Sequence, residues 1–404
     1  MEVQQHITPL PPSINFHQLD EVAIASSSMI QLVREHVFSP DKKKRAPVFG
    51  TNDLLETSGQ SLGRFKWLYE RKTDLPRGSI PTSRREFTLD EFREWQRALR
   101  PEVFRDPSKS AACTIAVSNF EGGSTKTTTA VTLAQGLALR GHSVLLIDLD
   151  PQGSACSLFN FIPDVDVERE MTIAPLCEGE ENTVDYAIRP TYWDGIDIIC
   201  ASAALHNAEF TLPARQRTER GFEFWRCLDA GLDNARAKYD VIIIDSPPSL
   251  SYVTINALMA ADGILMPLVP NALDFASSAQ FWNLCVELIQ GLYADRGQPD
   301  KGYAFVDVLL SKVDSSVGVN SIVRDWIIKA YGSKVLPIEI PKTAATESAS
   351  ATFGTVYDLA PGAMAAKTLR RAKNAYEAMV AHVEKQVQGV WLAQANAVNG
   401  DVNG

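Results

Sequence analysis

Residues Asn119-Phe-Glu-Gly-Gly-Ser-Thr-Lys-Thr-Thr-Thr129 decide the fold. An apolar strand pattern, Thr114 to Ser118, runs into them, and a helical pattern follows. A glycine pair lets backbone N–H groups approach phosphate oxygens without an intervening side chain, and the start of a helix favours an anion. The cradle therefore comprises Gly122, Gly123, Ser124, Thr125, Lys126, Thr127 and Thr128. Lys126 is placed to neutralise terminal phosphates and Thr127 to offer its hydroxyl to Mg2+. The full pattern GxxxxGK[ST] is not met, because Phe120 and Thr125 occupy its two glycine positions.

Two companions strengthen the reading. Val241-Ile-Ile-Ile-Asp245 ends an apolar run in a carboxylate suited to holding Mg2+. Asp148 and Asp150 leave another strand, and beside a phosphate cradle they become candidates for orienting an attacking water. Further strands are expected at 196–200, 263–269, 305–310 and 335–340, with Ser143 to Asp148 leading into the acidic pair. Near-continuous Val/Ile/Leu runs alternating with helical segments predict an α/β fold, a mainly parallel sheet with helices on both faces.

The 404-residue length points to more than one domain, and 45% hydrophobic with 22% charged residues is ordinary globular composition. Six scattered cysteines without a CxxC pair argue against zinc or iron–sulfur ligation and fit a reducing compartment. No apolar run reaches the roughly 18 residues that span a bilayer, so a cytoplasmic protein with no membrane role is expected. Net charge is −10, but residues 1–110 carry 17 Lys and Arg against 15 Asp and Glu. Within 41–100 the count is 14 against 9, a local surplus where a DNA-binding module could lie.

Four segments follow: a helical arm and basic linker over 1–46, a module over 47–110, the α/β domain over 111–390 and a disordered tail over 391–404. Pro9, Pro11 and Pro12 suggest an extended start, and 16–37 a helix suited to a dimerisation arm. The lysines of 41–47 read either as a solvated charge run or as phosphate contacts. Thr51 is expected to cap a helix to Glu56, Ser58-Gly59 to turn, and Gln60 to Arg71 to form a second helix with Leu62, Phe65 and Leu68 on one face. This is either an ordinary helical hairpin or a helix-turn-helix offering Arg64, Lys66 and Arg71 to DNA. The stretches 76–78 and 81–85, with Arg84 and Arg85, resemble a wing, and a capped helix begins near Thr88.

These motifs resemble the ParA/RepA class of plasmid and chromosome partition ATPases, a deviant Walker A group that also contains MinD and the nitrogenase iron protein. Carrying the resemblance are Gly-Gly-x-x-Lys-Thr-Thr-Thr, Leu145 to Gly153, Tyr239 to Leu250, Asn256 to Gly263, Asp274 to Ser277 and Ile340 to Thr343, within a span from about 112 to 385. Larger members carry an N-terminal winged helix-turn-helix, in keeping with 51–95. The resemblance implies ATP/ADP and Mg2+ as cofactors, hydrolysis supported by Asp150 with Asp148 in the same switch loop, and a homodimer with ATP at each of two facing subunits. It also implies nonspecific DNA binding by that dimer, stimulation by a ParB-type centromere-binding protein, and repression of its own operon through operator DNA. Lys367, Arg370, Arg371 and Lys373 would supply the nonspecific DNA surface, or else form a plain exposed helix face. Ser311, Lys312 and Pro341 would lie by the adenine.

One position departs. The family's signature lysine precedes the glycine pair and reaches the partner's nucleotide; here that residue is Glu121. A unit charge pair 4 Å apart is worth about 4 kcal/mol at an effective dielectric near 20, so the exchange turns attraction into repulsion. Slow hydrolysis and a weak ATP sandwich are expected, with binding in cis retained. The alternative is a nucleotide-regulated repressor with little ATPase activity. A MinD-like membrane role is disfavoured because the basic residues of the last helix sit near one end, and an iron-protein role by the cysteine positions.

Overall fold

The computed structural model describes residues 14–37, 44–81, 84–123, 125–163, 165–293, 301–314, 318–351, 353–359, 362 and 364–401. The proline-rich start, the lysines at 42 and 43, and Ser124 lie outside them. The first unit, within residues 1–43, contributes one helix, α1 (Phe16–Val37), over the span its pattern predicts.

Residues 44–404 form a second compact unit. It opens with β1 (Phe49–Gly50), α2 (Thr51–Ser58), α3 (Leu62–Arg71), β2 (Glu86–Phe87) and α4 (Leu89–Leu99). Gly59 adopts a left-handed φ of 66° and turns α2 into α3. Thr51 is not the cap expected of it: Gly50 holds that position and its N–H donates to Asp53. Ser61 caps α3, so the helix starts two residues later than predicted, and Leu62 faces solvent while Phe65 and Leu68 are buried. Thr88 and Glu91 close a reciprocal capping box on α4. Leu54, Phe65, Phe87, Phe92 and Trp95 form the module's core, and β1 pairs antiparallel with β2.

The larger part follows as β3 (Cys113–Val117), α5 (Lys126–Leu139), β4 (Val144–Asp148), α6 (Ser154–Leu158), α7 (Ala174–Glu178), β5 (Arg189–Pro190), β6 (Ile196–Ile199) and α8 (Ala208–Thr218). Then come α9 (Cys227–Gly231), α10 (Asp233–Lys238), β7 (Val241–Asp245), α11 (Tyr252–Ala260), β8 (Gly263–Leu268) and α12 (Ala272–Tyr293). The chain closes with β9 (Phe305–Val313), α13 (Gly318–Tyr331), β10 (Val335–Pro341), α14 (Ala344–Ala351) and α15 (Ala366–Asp401). The strands make an eight-stranded sheet in the order β10-β9-β8-β3-β7-β4-β6-β5, parallel throughout except for the edge strand β5. Every residue of β3, β4 and β7 is buried, in keeping with their mostly aliphatic sequences in a sheet covered on both faces.

The expected tail is instead helix. Residues 391–401 continue α15, with Trp391 buried and Gln394 accepting the Ala111 N–H at 2.9 Å. Ala372, Tyr376, Met379, Val383, Val387 and Val390 form its buried stripe at three- and four-residue spacing. Where α15 crosses α5, Gly136 lets the helices approach, since a Cβ there would collide with the Val380 methyl groups. Among the described residues no helix is long and apolar enough to cross a membrane. All six cysteines are buried and unbridged.

Candidate functional site

Strand order brings the predicted residues together. β3 lies between β7 and β8, and β4 lies beyond β7, so the cradle, Asp245 and Asp148 all emerge at the carboxyl edge of adjacent central strands. Ligands bind at this edge in open parallel sheets. A cavity of about 1110 Å3 opens there, lined by Gly122, Gly123, Lys126, Thr127, Asp150 and Pro341, among others.

The cradle needs unusual backbone. Gly123 holds φ at 79° and a Cβ on it would meet no protein atom, so the space before it is free for a ligand. Thr125 holds φ at 74°, the left-handed conformation its missing glycine would adopt easily. Phe120, at the other missing glycine, packs edge-on against Phe281 at 4.7 Å. The Lys126 ammonium donates to the Glu121 carbonyl at 2.8 Å. Burial lowers its pKa, while Asp245, Asp150, Glu121 and Asp274 pull the other way.

Asp245 is fully buried and neither carboxylate oxygen meets a donor in good geometry. Burial, then the neighbouring Asp148, pushes its pKa well up, and Thr127 and Lys126 only partly offset this. An orphaned buried carboxylate beside a hydroxyl is a donor set that fits Mg2+. Asp245 and Thr127 are the residues that would hold it, and the ion would supply charge neutralisation at the phosphates.

The two switch aspartates separate. Asp150 lines the cavity. Asp148 does not: it is enclosed, and it accepts the N–H groups of Asp150, Ala155 and Cys156 at 3.1, 3.0 and 3.2 Å. Burial raises its pKa to about 7. Its hydrogen bonds lie within its own loop, so of the two expected aspartates Asp150 is the one that lines the cavity.

Lys312 lines the cavity and is also tied to the cradle. It has a φ of 51° and its ammonium donates to the Gly123 carbonyl at 2.8 Å. Pro341 lines the cavity, whereas Ser311 is buried away from it. Asp274 was visible only as part of a motif. It is a buried carboxylate whose pKa burial and then Glu121 raise, against the Asn271 hydrogen bond.

Among the expected DNA contacts, Arg64, Lys66, Arg71 and Arg84 are exposed. Arg85 is half-buried, donating to the Arg77 carbonyl and stacking on Tyr69, so it ties the stretch before β2 to α3. Lys367, Arg370 and Arg371 are exposed at the start of α15. Lys373 turns inward, and burial lowers its pKa. Lys44 of the basic linker is neither a solvated charge nor a phosphate contact, since it donates to the carbonyls of Leu158 and Phe353.

A central parallel sheet with a glycine cradle, helix-borne Lys126 and Thr127, and a buried acid on the adjacent strand defines a P-loop nucleotide-binding protein. A model described as an AAA domain matches residues 112–294. The chromosome partitioning protein ParA of Caulobacter vibrioides is 32% identical over 250 residues, 61% of this chain and 87% of that one. The chain belongs to the ParA family of partition ATPases. A Sinorhizobium fredii protein carrying the name replication protein A is 29% identical over 95% of this chain and 97% of its own length. A solved structure of a partition protein superposes with a TM-score of 0.65 over 93% of this chain and 98% of that one, at 18% identity, a likeness of fold.

Proposed function

We propose that this chain binds ATP or ADP with Mg2+ in cis, binds operator DNA through residues 47–110, and runs a slowed partition cycle. The carrying observation is the contrast between the two halves of the site. Lys126, Thr127 and the orphaned Asp245 form a coherent cis half, while Glu121 places a carboxylate where the family's trans lysine belongs. Near Glu121 stands a second acid, Asp274, whose pKa burial and then Glu121 raise while Lys312 and Lys126 lower it, so acids and lysines meet at the cradle's mouth. In this reading the chain acts as a homodimer in the cytoplasm. A ParB-type adaptor stimulates hydrolysis, and exposed Lys367, Arg370 and Arg371 contribute to nonspecific DNA binding.

Restoring the lysine tests this. Glu121→Lys should raise ATP turnover at least about tenfold in the presence of adaptor and DNA, because it removes a repulsion worth about 4 kcal/mol before relaxation and adds an attraction. An unchanged rate would sink the proposal.

A second reading is favoured by the docking of α4 onto the ATPase part through Arg93, whose guanidinium donates to the carbonyls of Ala138 and His142, both at 3.2 Å. Such a joint suits a nucleotide-regulated repressor. Footprinting of the upstream operator in ADP and in ATP separates the two: a repressor changes its footprint with nucleotide even when turnover is negligible.

A further inference from the structure

The exposed side of α3 carries an arrangement that the charge pattern alone does not require. Trp67 leaves 43% of its surface in solvent. Arg64, three residues before it, and Arg71, four after it, place their guanidinium groups 5.1 and 4.6 Å from its ring centroid. Stacking orders two flexible arginines before any ligand arrives while leaving their N–H edges free.

The remainder of the helix anchors this group. Phe65 and Leu68 fix the opposite side in the module core. Tyr69 is gripped by Arg77 and Arg85 at 4.3 and 4.9 Å from its centroid, and Arg77 also donates to the carbonyls of Tyr69 and Lys72. The wing is thus tied to the carboxyl end of α3. Lys66 and Arg84 add exposed positive charge, which favours a polyanion. Glu70 is exposed on the same helix and would repel a phosphate. A surface that only tracked phosphates would gain nothing from a carboxylate and a large indole at its centre, whereas base edges offer an amino group to one and a thymine methyl to the other.

We propose that Arg64, Trp67 and Arg71 form a preassembled base-reading group in which Trp67 sets sequence preference in duplex DNA. The indole edge takes the apolar contact of a thymine methyl, and the stacked guanidiniums present their edges to guanine O6 and N7. The inference rests on the reading of residues 47–110 as a DNA-binding module.

The test uses the full chain with ADP and Mg2+. Wild-type protein selects duplexes from a randomised library, and anisotropy then measures affinity for the selected duplex and for a scrambled one. Trp67→Ala should lose about tenfold or more on the selected duplex and less than about twofold on the scrambled one, with Trp67→Phe between. The double variant Lys66→Ala, Arg84→Ala should weaken both and flatten the salt dependence. An unaltered preference in Trp67→Ala, with both affinities still reduced in the double variant, overturns the base-reading group and leaves the module's role intact. A wild-type protein that enriches no sequence, with the double variant unaffected, overturns the module's role itself. Tighter binding of polyglutamate than of either duplex assigns the surface to an acidic protein and overturns the inference. Thermal melting of each variant guards against loss of fold, which the exposure of Trp67 makes unnecessary for binding to change.

Discussion

Glu384 on α15 accepts both terminal nitrogens of Arg100, the residue that ends α4, at 2.6 and 3.2 Å. The same carboxylate meets Arg140 at 3.1 Å and His142 at 2.8 Å just beyond α5. One buried acid therefore joins the N-terminal module, the helix that begins in the cradle, and the last helix. Burial alone would push its pKa up, but the His142 ring and Arg100 overcome this and hold it far below the usual carboxylate range.

Glu384→Gln leaves the buried Arg100 guanidinium without its carboxylate partner, while Arg140 keeps Glu377, and should cost about 3 kcal/mol of stability at pH 7. A depressed folded-state pKa gives stability that is present above the unfolded carboxylate's pKa and lost as pH falls through and below it. The difference in melting temperature between wild type and variant should therefore shrink from pH 7 to pH 3. A pH-independent difference would show that the charge of Glu384 is not what matters.

Gly136→Ala should destabilise by about 1–3 kcal/mol through overpacking against Val380. Val380→Ala in the same chain should recover most of that loss. The check is a double-mutant cycle by thermal unfolding; additive losses would mean that the helix crossing is not limited by this contact.

Thr125→Gly should raise stability by about 1 kcal/mol. It relieves a left-handed β-branched residue and removes a buried hydroxyl without a partner, against a smaller cost in chain entropy. Chemical denaturation of the two proteins measures it, and a loss of stability would show that the hydroxyl helps to hold the cradle's backbone.

The sheet was readable because β3, β4, β7 and β8 are mostly aliphatic, and all seven predicted strands exist within a few residues of their expected ends. Two-residue strands such as β1 and β5 carry no periodicity of their own and arise from tertiary pairing. The helical end of α15 was hidden by its asparagines and glycines, although Val383, Val387, Val390 and Trp391 keep the helical spacing. At the site, residue types disclosed the cradle, Asp245 and Glu121. They did not disclose that Asp148 turns into its own loop, or that Lys312 reaches Gly123 from β9, 189 residues away along the chain. Those are choices made by loop geometry after the strands are in place.

Helix α5 has the phosphate cradle at one end, and near the other its Ala138 carbonyl accepts a hydrogen bond from Arg93 of α4. At 14 residues it is a rod of roughly 21 Å. The hydrogen bond from Arg93 therefore connects the far end of that rod to α4, whose buried face packs in the same core as α3. The end of the molecule that carries the cradle and the end that carries α4 thus share one helix, packed closely against α15 where Gly136 meets Val380.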